Sequence, residues 1–401
     1  MLEKAITGDK RYWGWITLVL LMIGAGGLAY LRQLDQGLTV TGLSRDVSWG
    51  FYIAQFTFLV GVAASAVMVV LPYYLHDFKS FSKLTILGEF LAVPSVIMCM
   101  LFIVVDMGQP FRVQNVMLYP TLNSPMFWDM ISLSGYLFLN ILIGYMALSS
   151  EKKGIAPPKW IKPFIIISIP WAISIHTVTA FLYSGLSARP FWMTAVLAPR
   201  FLASAFAAGP ALLILIIFLM RKLTRFDAGK DAIQKLAVIA TYAMCINVFL
   251  VLMEVFTTFY SGMPEHMHHF EFLYVGLHGH NTLVPWMWFS SALAVVSLIL
   301  LLTPKFRKTE VMLGFACIAV FVSIWIDKGL GMIVAGFTPS EMGEVVDYWP
   351  TLNEFMVSIM VWGIGLLIMS LLYKIIFTVR RETEPAVENK EDKKEQTVPS
   401  N

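Results

Sequence analysis

Cysteine is almost absent from this 401-residue chain: Cys99, Cys245 and Cys317 stand singly in three different apolar runs. The spacing leaves no Cys-x-x-Cys pair, no Cys-x-x-Cys-His haem attachment and no thiolate quartet for an iron–sulfur cluster. Isolated cysteines of this kind are read as core fillers. Histidine is also scarce inside the apolar runs. Only His176 sits deep in one, with His76 at a boundary, so the facing pair that a membrane haem b needs is missing. There is no Gly-rich phosphate-binding loop, which argues against a nucleotide-driven pump. Charge is thin at 14%, with a net of only +3. So weak a positive balance points to no nucleic-acid partner.

Apolar length is what the chain has in abundance. It is 58% hydrophobic and its mean hydropathy of +0.72 lies outside the soluble globular range. Ten runs, near 12–32, 50–73, 84–105, 127–149, 163–184, 201–220, 236–260, 282–302, 310–330 and 353–379, are each long enough as helices to cross about 30 Å of hydrocarbon. No soluble domain of this length buries ten such helices, so the expected fold is an all-α polytopic membrane protein with ten transmembrane helices. The N-terminal segment, the connections 74–83, 150–162, 221–235 and 303–309, and the end of the chain after 379 hold 22 of the 29 Lys and Arg residues. By the positive-inside rule both termini are then cytoplasmic. The first run follows Lys10 and Arg11 like a signal anchor, without a convincing cleavage site. The expected division is a ten-helix membrane domain over 1–380 and a charged, disordered cytoplasmic tail over 381–401.

A charge inside a membrane span is expensive and marks function by default. Helix three carries Glu89 toward its inner end and Asp106 at its outer end. Helix five carries His176, with Thr179, Ala180 and Tyr183 on the same face, and Pro170 six residues earlier. Helix seven carries Asn247 and, one heptad later, Glu254. Asp327 and Lys328 end helix nine, Asp129 opens helix four and Glu354 opens helix ten. For Asp129, Asp327, Lys328 and Glu354 the plainer reading is capping or snorkelling near an interface. His176 and Glu254 lie deeper, where a ligand or proton role is the better reading. Trp128, Phe191, Trp192 and Trp286 offer ring-sized surfaces, but an aromatic belt explains them more simply.

Offsetting the chain by about 150 residues aligns helices two to five with six to nine. Both sets start inward, so the expectation is two parallel four-helix bundles flanked by helices one and ten. The loop "MPEHMHHFEFLYVGLHGH" packs His266, His268, His269, His278 and His280. With no fixed ligand geometry, docking or proton exit is preferred there to a metal. Glu341, Glu344 and Asp347 are expected on the same face.

"DMGQPFRVQNVMLYPTLNSPMFWDM" (106–130) and "SGLSARPFWMTAVLAPRFLASAFAAGPALL" (184–213) resemble the two signature outer loops of the NrfD/polysulfide reductase membrane-subunit family. "SRDVSWGFYIAQFTFLVGVAASAVMVVLPYYLHD" and "SIHTVTAFLYSG" are similar to its DsrP branch. Gln109 stands where many relatives have Arg, so a role for that arginine does not carry over, although Arg112 is close by.

The resemblance implies a prokaryotic cytoplasmic-membrane subunit that binds menaquinone or menaquinol and has no haem or iron–sulfur cluster of its own. It implies four partners from dissimilatory sulfur metabolism: a periplasmic ferredoxin-like iron–sulfur subunit, a multihaem cytochrome c, a haem b membrane subunit and a cytoplasmic iron–sulfur subunit. His176, Glu254, Asp106, Glu89 and Asp327 become quinone-linked or proton-relay candidates. His176, Tyr183, Arg112, Trp128, Arg189 and Arg200 become candidates for holding the quinone. A secondary ion transporter and a cofactor-free membrane anchor are the competing readings.

Overall fold

The computed structural model describes residues 2–5, 7–75, 78–224, 226–340 and 342–395, with side chains described to 381. His76, Glu341 and residues 396–401 of the tail lie outside the described residues.

Ten helices have the length and apolarity to cross a membrane. They are α1 (Lys10–Val40), α2 (Phe51–Tyr74), α3 (Lys79–Asp106), α4 (Pro125–Lys153), α5 (Lys159–Ser184), α6 (Leu197–Leu223), α7 (Lys230–Ser261), α8 (Val284–Leu302), α9 (Glu310–Ala335) and α10 (Leu352–Arg381). Each matches one of the ten expected runs, with α2 and α8 beginning one and two residues after theirs. The helical backbone that begins with α10 continues unbroken to Glu395, so no backbone break marks position 381. The described residues contain no β-strand, only one isolated bridge between Leu277 and His280. An all-helical chain is what the bilayer demands, since a helix satisfies its own backbone polar groups.

Local chemistry sets the ends. Asp9 accepts from the Tyr12 amide at 2.9 Å to cap α1. Gly154 and Gly262 close α4 and α7 at φ 63°, where a Cβ is disfavoured. Thr351 and Glu354 form a reciprocal capping box at the start of α10. The capping expectation for Glu354 therefore holds, and Glu354 also accepts from the Gly42 amide and the Tyr348 hydroxyl.

Helix neighbours follow chain order. Contacts run α2–α3, α3–α4, α4–α5 and back to α2, and likewise α6–α7, α7–α8, α8–α9 and back to α6. The α2 helix also packs on α6 and α9, while α1 packs along α10, which leans on α3 and α4. Burial grades accordingly: α2 is fully enclosed, whereas α1 and α8 are mostly exposed. Close crossings rest on small residues. At Gly26 a side chain would fall on the Met356 carbonyl and Met360 of α10, and α6 meets its neighbours through buried Ala203, Ala205, Ala207 and Ala208.

Two helices are interrupted inside their spans. The α2 helix tightens to 3₁₀ over Ala64–Ala66, and α9 widens to a π-helix over Trp325–Gly331. π segments are rare and recur at functional sites.

The long connections gather at one end, called here the long-loop end. Trp49 stacks on Trp192 at 5.8 Å and meets Tyr183 and Phe337 edge-on. Trp192 and Phe191 are buried, and the Trp192 indole donates to the Met332 carbonyl at 2.9 Å. The belt expectation fails for these two because the loops fold inward over the helix ends. Trp128 and Trp286 stay substantially exposed.

Candidate functional site

Arg200, in the first turn of α6, is the hub of a buried ion-pair network. Its Nη1 donates to Glu254 Oε2 of α7 at 2.7 Å, and its Nη2 reaches both Asp327 oxygens of α9 at 2.8 and 2.9 Å. Both Arg200 and Glu254 are under 10% exposed. Charges this deep persist only when paired and hydrogen-bonded, and Arg is the cation suited to two carboxylates because its donors form a planar fork.

Asp327 and Lys328 both lie in the π segment of α9. Asp327 faces α6 and α7, whereas Lys328 is buried on the other side. The Lys328 Nζ lies 4.1 Å from the centre of the Phe201 ring and 3.5 Å from the Phe201 carbonyl, against the Gly61 surface of α2. The snorkelling expected for Asp327 and Lys328 does not occur, because α9 is packed on both sides at this level. With every group in its ordinary ionised form, the two cations and two anions cancel.

Beside Lys328 lies a second, more enclosed polar column on α5. His176 is fully buried with no hydrogen-bond partner at either ring nitrogen, and Lys328 is near enough to act on it through its charge. Thr179 Oγ1 is 2.6 Å from Asp129 Oδ1 of α4 and 2.7 Å from the Ile175 carbonyl. That hydroxyl has one hydrogen for two acceptors, so it can donate to only one of them at a time. Tyr183, the next turn along, shares a 2.5 Å hydrogen bond with Thr57 of α2. Asp129 is 2% exposed, so it too departs from the interfacial reading: α4 begins before its side chain turns into the bundle.

The remaining candidates stand apart. Arg189 stacks over Phe337 at 4.5 Å, within the aromatic cap. Glu89 is buried in the other half of α3 with Oε2 unpartnered, near Tyr74 and Tyr136. Asp106 ends α3 with a buried, unpartnered Oδ1, close to Tyr52 and Glu354. Arg112 is exposed on a loop turn, and Trp128 donates to the Leu122 carbonyl at the surface. Glu89, Asp106, Arg112 and Trp128 therefore sit in surroundings of their own, away from the Arg200 network.

The histidine-rich loop does not converge. His269, on the short helix Pro264–Tyr274, is buried, and its Nδ1 donates to the Ala335 and Thr338 carbonyls at 2.7 and 2.9 Å. Burial pushes its pKa below the ordinary value. His280 instead pairs with Asp347 at 2.8 Å. Among the described residues no group of three or more His, Cys, Asp or Glu is placed to hold a metal ion.

A cleft of about 570 Å³ opens between α7, α8 and α9. Val248, Val251 and Val255 form one wall, Trp288 and Val295 another, and Asp327, Tyr274 and Asn247 supply polar groups. Sequence alone ranks Asp327 with the interfacial charges and gives Tyr274 no part. The contact between Arg200 and Asp327, across 127 residues, ties α9 to the ion-pair network, and no local pattern signals it.

Comparison with known proteins agrees with the architecture. Residues 39–337 match the family model described as polysulphide reductase, NrfD. A putative dimethyl sulfoxide reductase membrane subunit of Halobacterium salinarum is 27% identical, over 90% of this chain and 89% of that protein. The menaquinone reductase integral membrane subunit of Nitratidesulfovibrio vulgaris is 21% identical over 94% of each. The Hdr-like menaquinol oxidoreductase integral membrane subunit of Archaeoglobus fulgidus is 23% identical, over 62% of this chain and 61% of that protein.

Proposed function

Because the chain belongs to the NrfD polysulphide reductase family, we propose that it is the quinone-facing membrane subunit of a multi-subunit redox complex, handling the protons of the reaction. Oxidation of a quinol releases two protons with two electrons. The electrons pass to a one-electron centre held by a partner subunit, and the protons must go to side chains. The observation that carries this reading is the Glu254–Arg200–Asp327 network, two carboxylates on one guanidinium, deep within membrane-length helices. A network this costly to bury has a use when charge must be taken up and released without water. Two relatives named for menaquinol or menaquinone chemistry support the substrate class.

The finer reading places the long-loop end on the periplasmic side, facing a ferredoxin-like iron–sulfur subunit. A multihaem cytochrome c, a haem b membrane subunit and an iron–sulfur protein on the cytoplasmic side make up the rest of the complex, in a DsrP-type role in dissimilatory sulfur metabolism. The basic short loops support this orientation, and the two closed rings of helix contacts support the two-bundle arrangement. The column of His176, Thr179 and Asp129 is read as a proton relay, with Glu89 toward the opposite surface and proton movement across the bilayer as its consequence.

The test is reduction of the partner's redox centres by a soluble menaquinol analogue in the purified complex. Glu254→Gln and His176→Leu should each lower the rate at least ten-fold in assembled complexes. His176→Leu should leave stability within about 1 kcal/mol, since an apolar replacement removes unpartnered buried polar atoms. Full rates in both variants would make this protein a membrane anchor.

A further inference from the structure

We infer, independently of the quinone reading, that the end of the α6–α9 half opposite the long loops holds an anionic phospholipid, its phosphate on the Nε–Nη2 edge of Arg221 and its acyl chains along the seam between α6 and α9. The connections there, 221–235 and 303–310, carry eight Lys and Arg residues against Asp227, Asp231 and Glu310. The fold brings them together. Gln234 Nε2 of α7 donates to the Arg307 carbonyl at 3.1 Å, and Arg221, in the last turn of α6, donates from Nη1 to Glu310 Oε1 of α9 at 2.7 Å.

Both guanidinium groups keep donors in reserve. In Arg221 the Glu310 carboxylate occupies Nη1, while Nε and Nη2 are shielded from water and have no hydrogen-bond partner. Those two N–H bonds are parallel and form the side edge of the group, which grips two oxygens of one phosphate. Asp227 Oδ1 stands 3.8 Å from Nη2, beyond a hydrogen bond, and accepts instead from the Gly229 amide at 3.1 Å. The Asp227 side chain is 70% exposed, so it can swing clear of the edge. Arg307 donates from Nη1 to the Leu301 carbonyl at 2.9 Å, again with Nε buried and unpartnered. Lys222 and Lys308, next in the chain to the two arginines, are exposed and pair with no carboxylate among the described residues. A shielded cationic donor without an acceptor is costly, and a phosphate oxygen is the strong acceptor that removes the cost.

A free anion would satisfy this edge but not the surface below it. Leu219 and Leu223 of α6 and Val311 and Phe315 of α9 are 49, 68, 64 and 60% exposed. Between the two helices Gly314 leaves the seam shallow, since a Cβ there would meet only Phe218, at 3.9 Å. The Arg221 guanidinium lies 5.7 Å from the centre of the same Phe218 ring, so the cationic edge and the apolar seam adjoin. Phosphate above and hydrocarbon below are the two parts of a phospholipid, and basic pockets between transmembrane helices take anionic headgroups. A zwitterionic headgroup would bring its own cation into this basic surface, which favours a lipid of net negative charge.

The test is native mass spectrometry of the full chain, purified in detergent, stripped of lipid and titrated with phosphatidylglycerol, phosphatidylcholine or inorganic phosphate. Phosphatidylglycerol should bind roughly ten-fold more tightly than phosphatidylcholine. Arg221→Lys keeps a charge for Glu310 and removes the fork, and should weaken that binding roughly three-fold or more. Arg221→Gln combined with Arg307→Gln should weaken it roughly ten-fold or more. Lys159→Gln combined with Lys162→Gln, at the start of α5, takes the same number of charges from the same end of the molecule and should change it less than about two-fold. Equal losses in the two double variants, or full affinity in Arg221→Lys, would overturn the site in favour of general charge attraction. Complete displacement of the lipid by inorganic phosphate would overturn the lipid and assign the fork to a free anion. Equal binding of both lipids, in a protein still folded by circular dichroism, would overturn the site and leave the basic surface to an acidic protein.

Discussion

Removing Arg200 separates the energetic role of the ion-pair network from its chemical one. In Arg200→Gln, Glu254 and Asp327 lose the cation that each now contacts at 2.7–2.8 Å. With charge centres about 4 Å apart and an effective dielectric near 20, each pair contributes about 4 kcal/mol of attraction before desolvation. The desolvation cost of the carboxylates remains after the arginine is gone, and like charges then face each other. Protonation of one carboxylate relieves part of this, leaving a loss of about 3–5 kcal/mol. Glu254→Gln is different in kind. It preserves shape and a hydrogen-bond acceptor for Nη1 and leaves Arg200 Nη2 on both Asp327 oxygens, so its cost is about 1 kcal/mol. Replacing all three residues by Leu leaves no member of the Glu254–Arg200–Asp327 network without its partner, keeps Lys328 against Phe201, and should recover stability to within about 2 kcal/mol of the wild type. The assay is SDS titration in mixed micelles, read by tryptophan fluorescence, with midpoints compared at constant protein concentration. Equal losses for Arg200→Gln and Glu254→Gln, or a triple variant as unstable as Arg200→Gln, would refute the reasoning.

Two further outcomes follow from packing and protonation. Gly26→Val should force α1 away from α10, because the new side chain lands on backbone at Met356. A loss of about 1–3 kcal/mol in the same titration is expected, against no change for Gly14→Val, which meets nothing within 4 Å. His269 carries a pH dependence. Burial, aided by nearby His266 and His268, lowers its pKa below the ordinary 6.5 even though the Ala335 and Thr338 carbonyls favour the protonated ring. The unfolded state therefore binds protons first, so the stability from neutral His269 is complete above about pH 6.5 and is lost as pH falls through and below it. The protection of amides in Pro264–Tyr274 against hydrogen exchange, taken relative to the intrinsic rate at each pH, should fall between about pH 7.5 and 5.5, and a His269→Gln variant should show no such step. Unchanged protection in the wild type would contradict the buried neutral ring.

The candidate site is only partly legible in the chain. Glu254 and His176 stand out because an ionisable group near the middle of an apolar run has few cheap explanations. Asp327, Lys328 and Asp129 read as interfacial because each lies near the end of its run, and distance along one helix is the only measure of depth that a sequence offers. In the fold that measure fails: α9 is packed on both faces, and α4 turns Asp129 inward against Thr179. Arg112 draws notice because it lies near Gln109, but its loop carries it to the surface. The five loop histidines look like one cluster and separate into a buried anchor, an ion pair and groups at the surface.

By itself the sequence determined that this protein has ten membrane-length helices, together with their approximate limits and the one-sided distribution of basic loops. Those properties are local: hydrophobic length is set residue by residue, and backbone bonds inside a helix need no other segment. Tertiary structure alone decided which charges meet. Arg200 finds Glu254 54 residues away and Asp327 127 residues away, and within the π segment Asp327 meets Arg200 while Lys328 meets Phe201. Pairing energy in a low-dielectric interior depends on ångströms between helices, and that separation is fixed by how small and large side chains pack across the whole bundle.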